Sequence, residues 1–161
     1  MSDEKKFSNC QLNAIVLLRV LIGWHFLYEG VAKLMKGDWS AVGFLSQSKW
    51  ILAGLFKWIA ANPTVLNIVN LMNIYGLILI GLGLIMGCFT RIASYAGMLL
   101  ILLYYFCNPP FAGLFYSIPM EGSYLIVNKN LVEVAGLLVV AVTGTGKYLG
   151  LDRLISKWIK K

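Results

Sequence analysis

Taken as a string of apolar and polar positions, the chain is four oily stretches parted by short polar punctuation. Residues about 12–35, 66–88, 92–108 and 130–146 are runs dominated by Leu, Ile, Val, Ala, Gly and aromatic residues. No Asp, Glu, Lys or Arg falls between Lys57 and Arg91, between Arg91 and Glu121, or between Glu133 and Lys147. Apolar runs of about 18 or more residues are candidates to cross a bilayer. At about 1.5 Å per residue each stretch spans a hydrocarbon core of roughly 30 Å, the third only just. The predicted fold is all-α: a polytopic membrane four-helix bundle, folded as a single membrane domain over 1–161.

The punctuation supports this. Span 2 ends at "GCFTR" and span 3 follows at once, which predicts a tight hairpin. Span 3 stops at Asn108-Pro109-Pro110, because proline lacks an amide hydrogen and restricts the residue before it. The connection between spans 1 and 2, "FLSQSKWILAGLFKWIAANP", predicts an interfacial helix over about 44–60, too broken by Lys49 and Lys57 to span. The tail 150–161 puts Leu151, Leu154, Ile155 and Trp158 on one side and basic residues on the other, an amphipathic segment suited to anionic lipid. Along span 2, Gly76, Gly83 and Gly87 recur at helical spacing and are expected to let helix backbones approach closely.

Composition fixes the solvent. Of 161 residues 59% are hydrophobic and 13% charged, against roughly 25% charged in soluble domains. The formal net charge of +7 therefore bears on orientation and lipid contact rather than on nucleic acid, for which no recognition signature is present. With four spans, Lys5, Lys6, Arg91, Lys147, Arg153, Lys157, Lys160 and Lys161 share one face. The other holds Lys36, Lys49, Lys57 and Lys129, with Lys33 at its edge. The positive-inside rule places both termini in the cytoplasm. The start of the chain could pass for a signal peptide, but Arg19 interrupts its apolar run and no small-residue cleavage site follows, so it reads as a retained first helix.

One segment contradicts its surroundings. "GWHFLYEGVAK" carries His25, Glu29 and Lys33 in a span that also holds Arg19. At about 100° per residue these four fall within roughly a third of the helix circumference, spread over about 21 Å of its length. His25 and Lys33 each stand four residues from Glu29, within pairing reach. A charge at mid-bilayer costs about 2.5–3.5 kcal/mol even on the lenient insertion scale, so such groups turn inward and find partners. The partners on offer are Asn67, Asn70 and Asn73 on span 2, Tyr104 and Tyr105 on span 3, and Asn130 and Glu133 on span 4. Two readings stay open: glue between helices, or a polar site with a proton path. On the second, His25, Glu29 and Lys33 are the catalytic candidates. Arg19, Asn73, Tyr104, Tyr105, Asn130 and Glu133 are then the cofactor-binding ones.

Other chemistries are poorly served. A lone histidine and three scattered cysteines make no metal site. Cys10 and Cys88 lie near the inner face, where the cytosol is reducing, and Cys107 near the outer. "GTGKY" lacks the earlier glycine and the hydroxyl of a phosphate loop, and no flavin motif occurs.

The stretches "LLRVLIGWHFLYEGVAKL", "GLILIGLGLIMGCFTRIASYAGMLL" and "GTGKYLGLD", in that order, resemble the successive motifs of the DoxX family of small bacterial membrane proteins. The resemblance covers all four spans and is weakest in the 1–2 connection and in 111–128. It implies a four-helix bundle related to the membrane subunit of thiosulfate:quinone oxidoreductase. Quinone is then the candidate cofactor, and a partner redox protein or further copies of the chain are candidate partners besides the bilayer. The family pattern on the first helix maps onto Arg19, Gly30 and Lys33. Many relatives carry a glutamate near the start of span 2, where this chain has Asn73, so an acidic role there passes to Glu29 or lapses. The expected function is a quinone-interacting subunit of a redox complex, with its polar site open to the outer face. The alternative is a non-enzymatic membrane adaptor, or a carrier of a small solute or lipid.

Overall fold

The structure, a computed structural model, describes residues 7–117 and 125–159. Helix α1 (Asn9–Met35) starts at a capping box. The Ser8 hydroxyl accepts from the Gln11 amide at 3.2 Å, and the Ser8 amide donates to Gln11 Oε1 at 2.9 Å, satisfying amides that a helix start otherwise leaves bare. Two short helices follow, α2 (Val42–Ser46) and α3 (Ala53–Ala61). Helix α4 (Pro63–Met86) opens on proline, where no amide partner is needed, and closes on Gly87 at φ 65°. Then come α5 (Thr90–Cys107), α6 (Lys129–Thr143), a single 3-10 turn at Thr145–Lys147 and α7 (Asp152–Ile159). No strand occurs among the described residues.

Helices α1, α4 and α5 are long and apolar enough to cross a membrane. Each of α1 and α5 packs against both α4 and α6, so four helices enclose a core of Ile22, Phe26, Leu77, Ile80, Leu84 and Leu137. Helix α6 is shorter than the expected 130–146. It stops at Thr143 after 15 residues, about 22 Å, because Gly144 turns left-handed at φ 59°. The hairpin after α4 is as tight as expected, with Phe89 at φ 48° as its second left-handed residue.

The interfacial helix expected over 44–60 is two helices. The chain breaks at Gln47–Leu52 because Trp50 turns inward: its ring stacks on Phe106 at 5.3 Å and meets Phe111 edge-on at 4.9 Å. Aromatic packing outweighs the weak propensity for a continuous helix. Helices α2 and α3 pack through Leu45 and Phe56 onto Cys107 at the end of α5, capping the helix ends at this face.

The close-approach glycines also differ from those expected. Gly76 faces open space, but a Cβ on Gly83 would meet Ala93 of α5 at 3.3 Å, and one on Gly87 would meet the Gly150 Cα of the C-terminal segment at 2.8 Å. The contact between α1 and α4 is made instead by Gly81, Gly23 and Gly30. A Cβ on Gly81 would lie 2.5 Å from the Leu27 amide nitrogen and 2.7 Å from the Gly23 carbonyl oxygen. Period alone could not separate the two sets, because both recur at helical spacing.

At the opposite face from α2 and α3, the C-terminal motif folds back on the α4–α5 hairpin. The Leu151 amide donates to Met86 O at 3.1 Å and the Asp152 amide to Gly87 O at 2.9 Å. The Asp152 carboxylate accepts from the Phe89 and Thr90 amides at 2.6 and 3.0 Å. Phe89 cannot cap α5 itself, so a residue 62 positions away from Thr90 does it. The apolar side of α7 is exposed at Leu154 and Trp158. Lys5, Lys6, Lys160 and Lys161 lie outside the described residues.

Gly81→Ala is expected to lower the melting temperature of the purified protein, at the scale of about 1–3 kcal/mol for an overpacked contact. Gly76→Ala, into open space, should leave it unchanged or raise it. Equal melting temperatures for the two variants would remove Gly81 as the point of closest approach.

Candidate functional site

Where the C-terminal turns of α1 and α5 diverge from the start of α6 beneath α2, a cavity of about 410 Å³ opens. Helix α1 lines it with His25, Glu29 and Lys33, which the i, i+4 spacing stacks on one face. Phe26, Leu77 and Ile101 supply apolar wall, and Tyr104 comes from α5. Helix α6 enters here, started by Asn128, whose side chain accepts from the Leu131 amide at 3.3 Å. Asn130 and Glu133 therefore face the same space.

Two polar assemblies meet in it. The Lys33 ammonium donates to Asn73 Oδ1 at 3.1 Å, and Asn73 Nδ2 donates to the Tyr104 hydroxyl oxygen at 2.5 Å. Because that oxygen accepts from Asn73, the Tyr104 proton is left to point elsewhere. The ammonium also lies over the Trp39 and Tyr104 rings, at 4.8 and 5.5 Å from their centroids, and 3.8 Å from Glu29. This surrounds a desolvated cation with one neutral acceptor, one carboxylate and two ring faces. In the second assembly His25 Nδ1 and Glu133 Oε1 stand 2.8 Å apart. An ionised carboxylate only accepts, so Nδ1 then carries the hydrogen and Nε2 is left as an acceptor.

The pairing expected within α1 is only half present. Lys33 approaches Glu29, but His25 turns across the seam to Glu133 on α6, where the shorter contact is available. Of the nine residues singled out from sequence, His25, Glu29, Lys33, Tyr104, Asn130 and Glu133 line the cavity, and Asn73 reaches it through Lys33 and Tyr104. Tyr105 does not, because its ring faces Trp50 and Phe111 while its hydroxyl donates to Ile126 O at 2.8 Å. Arg19 does not either. It is buried in the N-terminal half of α1, one turn before the middle, and its guanidinium donates to Leu149 O at 2.8 Å and to Thr145 Oγ1 at 3.4 Å. It fastens the C-terminal motif and takes no part in the cavity.

Asn70 accepts from the Ala41 amide at 2.9 Å and so secures the loop before α2. Asn67 is exposed. Gln47 and Asn108 line the cavity without having been singled out. Asn108 reads in sequence as the stop before two prolines, yet its amide donates to Phe44 O at 3.2 Å, and its buried Oδ1 accepts no hydrogen bond from the described residues. Glu121 lies outside the described residues. Among the described residues no group of three His, Cys, Asp or Glu could hold a metal, and Cys10, Cys88 and Cys107 are free thiols.

A family model described as DoxX matches residues 14–108, which covers α1 to α5 and stops where α6 has yet to begin. No curated protein and no solved structure matches the chain.

Asn73→Leu should destabilise the protein by about 1–3 kcal/mol, because it strands the Lys33 ammonium and the Tyr104 hydroxyl without their shared partner. Lys33→Met in that background should recover part of the loss, since removing both partners is less costly than removing one. Thermal unfolding of the two single variants and the double variant measures the coupling; strictly additive losses would mean the two side chains do not depend on one another.

Proposed function

The chain belongs to the DoxX family, and from that premise we propose that it is a four-span integral membrane subunit of a redox complex whose outer cavity takes a quinone head group. On this reading it is a single domain of a bacterial inner membrane, with α6 as the fourth, shortest crossing and both termini cytoplasmic. The Phe7 and Tyr148 rings meet at 5.9 Å, so the start of α1 and the segment after α6 share one end. That suits an even number of crossings.

The observation that carries the reading is the convergence of Lys33–Asn73–Tyr104 and His25–Glu133 on one cavity with an apolar wall. A quinone head needs a flat apolar slot, donors for two carbonyl oxygens and a route for protons. The donor set fits: Lys33 and the Tyr104 hydroxyl on one side, His25 on the other, which donates from Nε2 in its protonated form while Nδ1 stays on Glu133, and Phe26, Leu77 and Ile101 for the ring. When bound, a quinone supplies two-electron, two-proton chemistry. Glu133 orients His25 and can hold a proton with it, while Asn73 keeps Lys33 and the Tyr104 oxygen in register. Arg19 supports the opposite end and is a structural residue in this scheme.

Organic extraction of protein purified in mild detergent should yield quinone close to the molar amount of protein. Lys33→Met and Glu133→Gln should retain about ten- to a hundredfold less, the scale of one charge-assisted hydrogen bond of about 1.5–3 kcal/mol, while Lys57→Ala should match the parent. Absence of quinone from every preparation, with another solute or lipid held instead, would favour the carrier reading. For topology, a reporter fused after Lys161 should behave as cytoplasmic and one inserted near Asp38 as exported. The opposite pattern would put the cavity on the wrong face.

A further inference from the structure

Two polar groups of the cavity are not enclosed by protein. The side chains of His25 and Glu29 are 46% and 48% exposed, against 11% for Glu133 and 15% for Lys33. Both exposed groups sit at membrane depth. Counted from Ile22 at the middle of α1, His25 lies about 4.5 Å and Glu29 about 10 Å toward the outer end, inside a hydrocarbon half-thickness of about 15 Å.

The exposure is located at the seam between α1 and α6. Deeper in, the two helices close on each other: a Cβ on Gly136 would meet Ile22 Cδ1 at 3.0 Å and Leu18 Cδ1 at 3.7 Å. One turn outward the contact is His25 with Glu133. One turn further lie Glu29 and Lys129, where α6 has only begun and the cavity takes over. The lips of the seam are apolar, since Leu21 and Tyr28 on α1 and Val132 on α6 are each more than half exposed. Glu133 and Lys33 each satisfy only one side of the imidazole and the carboxylate; acyl chains can cover the lips but offer nothing to the exposed sides, which are costly to leave bare at this depth.

Resting on the reading of the cavity as a quinone site, we propose that the α1–α6 seam is a lateral portal. An amphiphile of the outer leaflet seats its polar head on His25, Glu29 and Lys33 and leaves its apolar tail in the lipid between Tyr28 and Val132. The substrate class is thus a long-tailed, membrane-dissolved molecule and excludes a water-soluble anion. The His25–Glu133 pair marks the inner limit of the opening, and Val132 and Leu21 set its width.

The full chain in phospholipid nanodiscs is photolabelled with a decyl-tailed quinone carrying a diazirine on the tail, and the labelled residues are mapped by mass spectrometry. Label on Leu21, Tyr28 or Val132 is expected. It should be competed about tenfold or more less effectively by the tail-less head group, which lacks the partition energy of the tail, and should fall in Val132→Trp, which narrows the mouth from the lipid side. Saturable labelling confined to residues 39–52, with the tail-less head group competing equally, would overturn the portal and leave the quinone reading standing. No saturable quinone labelling, with a diazirine-tailed phosphatidylglycerol labelling the same three residues, would keep the portal and overturn the quinone. Labelling of the seam by neither probe would overturn both.

Discussion

The closeness of α1 to α4 sets everything else in this molecule. Gly81 presses against the backbone at Gly23 and Leu27, and Gly30 sits against Ile78, so no side chain keeps the two helices apart. In lipid there is no hydrophobic drive to bring helices together, and dispersion between closely fitted backbones must do it. The same approach fixes both ends. Toward the C-terminal end of α1, it carries Lys33 to within 3.1 Å of Asn73. Toward the N-terminal end, it brings the Arg19 guanidinium beside Gly87, where a Cβ would lie 2.9 Å from it. A side chain at Gly81 would loosen cation placements at both ends at once.

The two cations then solve one problem in different ways. Each is carried on a helix that passes through hydrocarbon, where an unpartnered charge is costly. Arg19 is enclosed: it is 3% exposed, and its Nη1 and Nη2 donate to a hydroxyl and a carbonyl of the returning C-terminal segment. A planar fork of donors suits a turn that offers several oxygens, which a lysine could not match. Lys33 is held by fewer fixed bonds and by ring faces, and a cavity adjoins it. The first arrangement makes a clasp and the second leaves room for another molecule. That contrast separates structure from site more sharply than any residue type does.

Much of this was legible in the chain. The three long apolar helices, the hairpin at Gly87–Arg91 and the stop at Asn108 follow from local chemistry: glycine at a positive φ, proline without an amide, a run of side chains suited to oil. The gathering of His25, Glu29 and Lys33 toward Tyr104 and Glu133 was also readable, because one helical stripe and a bilayer's intolerance of stray charge leave few directions to face. What was not legible depended on contacts distant in sequence. Gly81 and Gly76 differ only in what stands opposite. Trp50 breaks its helix because Phe106 is there to stack on. Asp152 caps α5 from the far end of the chain, and Arg19 shares a stripe with the cavity residues while sitting at the opposite end of it. Periodicity gives the angle of a residue around its helix, and it is silent on which neighbour arrives at that height.

Asn73 shows how this bears on chemistry. The resemblance to the DoxX family implies a carboxylate near this position in many relatives, and a carboxylate 3.1 Å from Lys33 would pair with it outright. The amide instead accepts from Lys33 with one end and donates to Tyr104 with the other, which a carboxylate, an acceptor on both oxygens, could not do without taking up a proton. The amide therefore orients the Tyr104 hydroxyl and leaves the ammonium uncompensated by its nearest partner, with Glu29 3.8 Å away as the carboxylate that answers it. In this chain the carboxylate that answers Lys33 is Glu29 at the α1–α6 seam, which is open, and the α1–α4 contact there is made by the Asn73 amide. A cavity built this way presents its cation and its carboxylate to whatever occupies it, where a Lys–Glu pair across α1 and α4 would have spent both on each other.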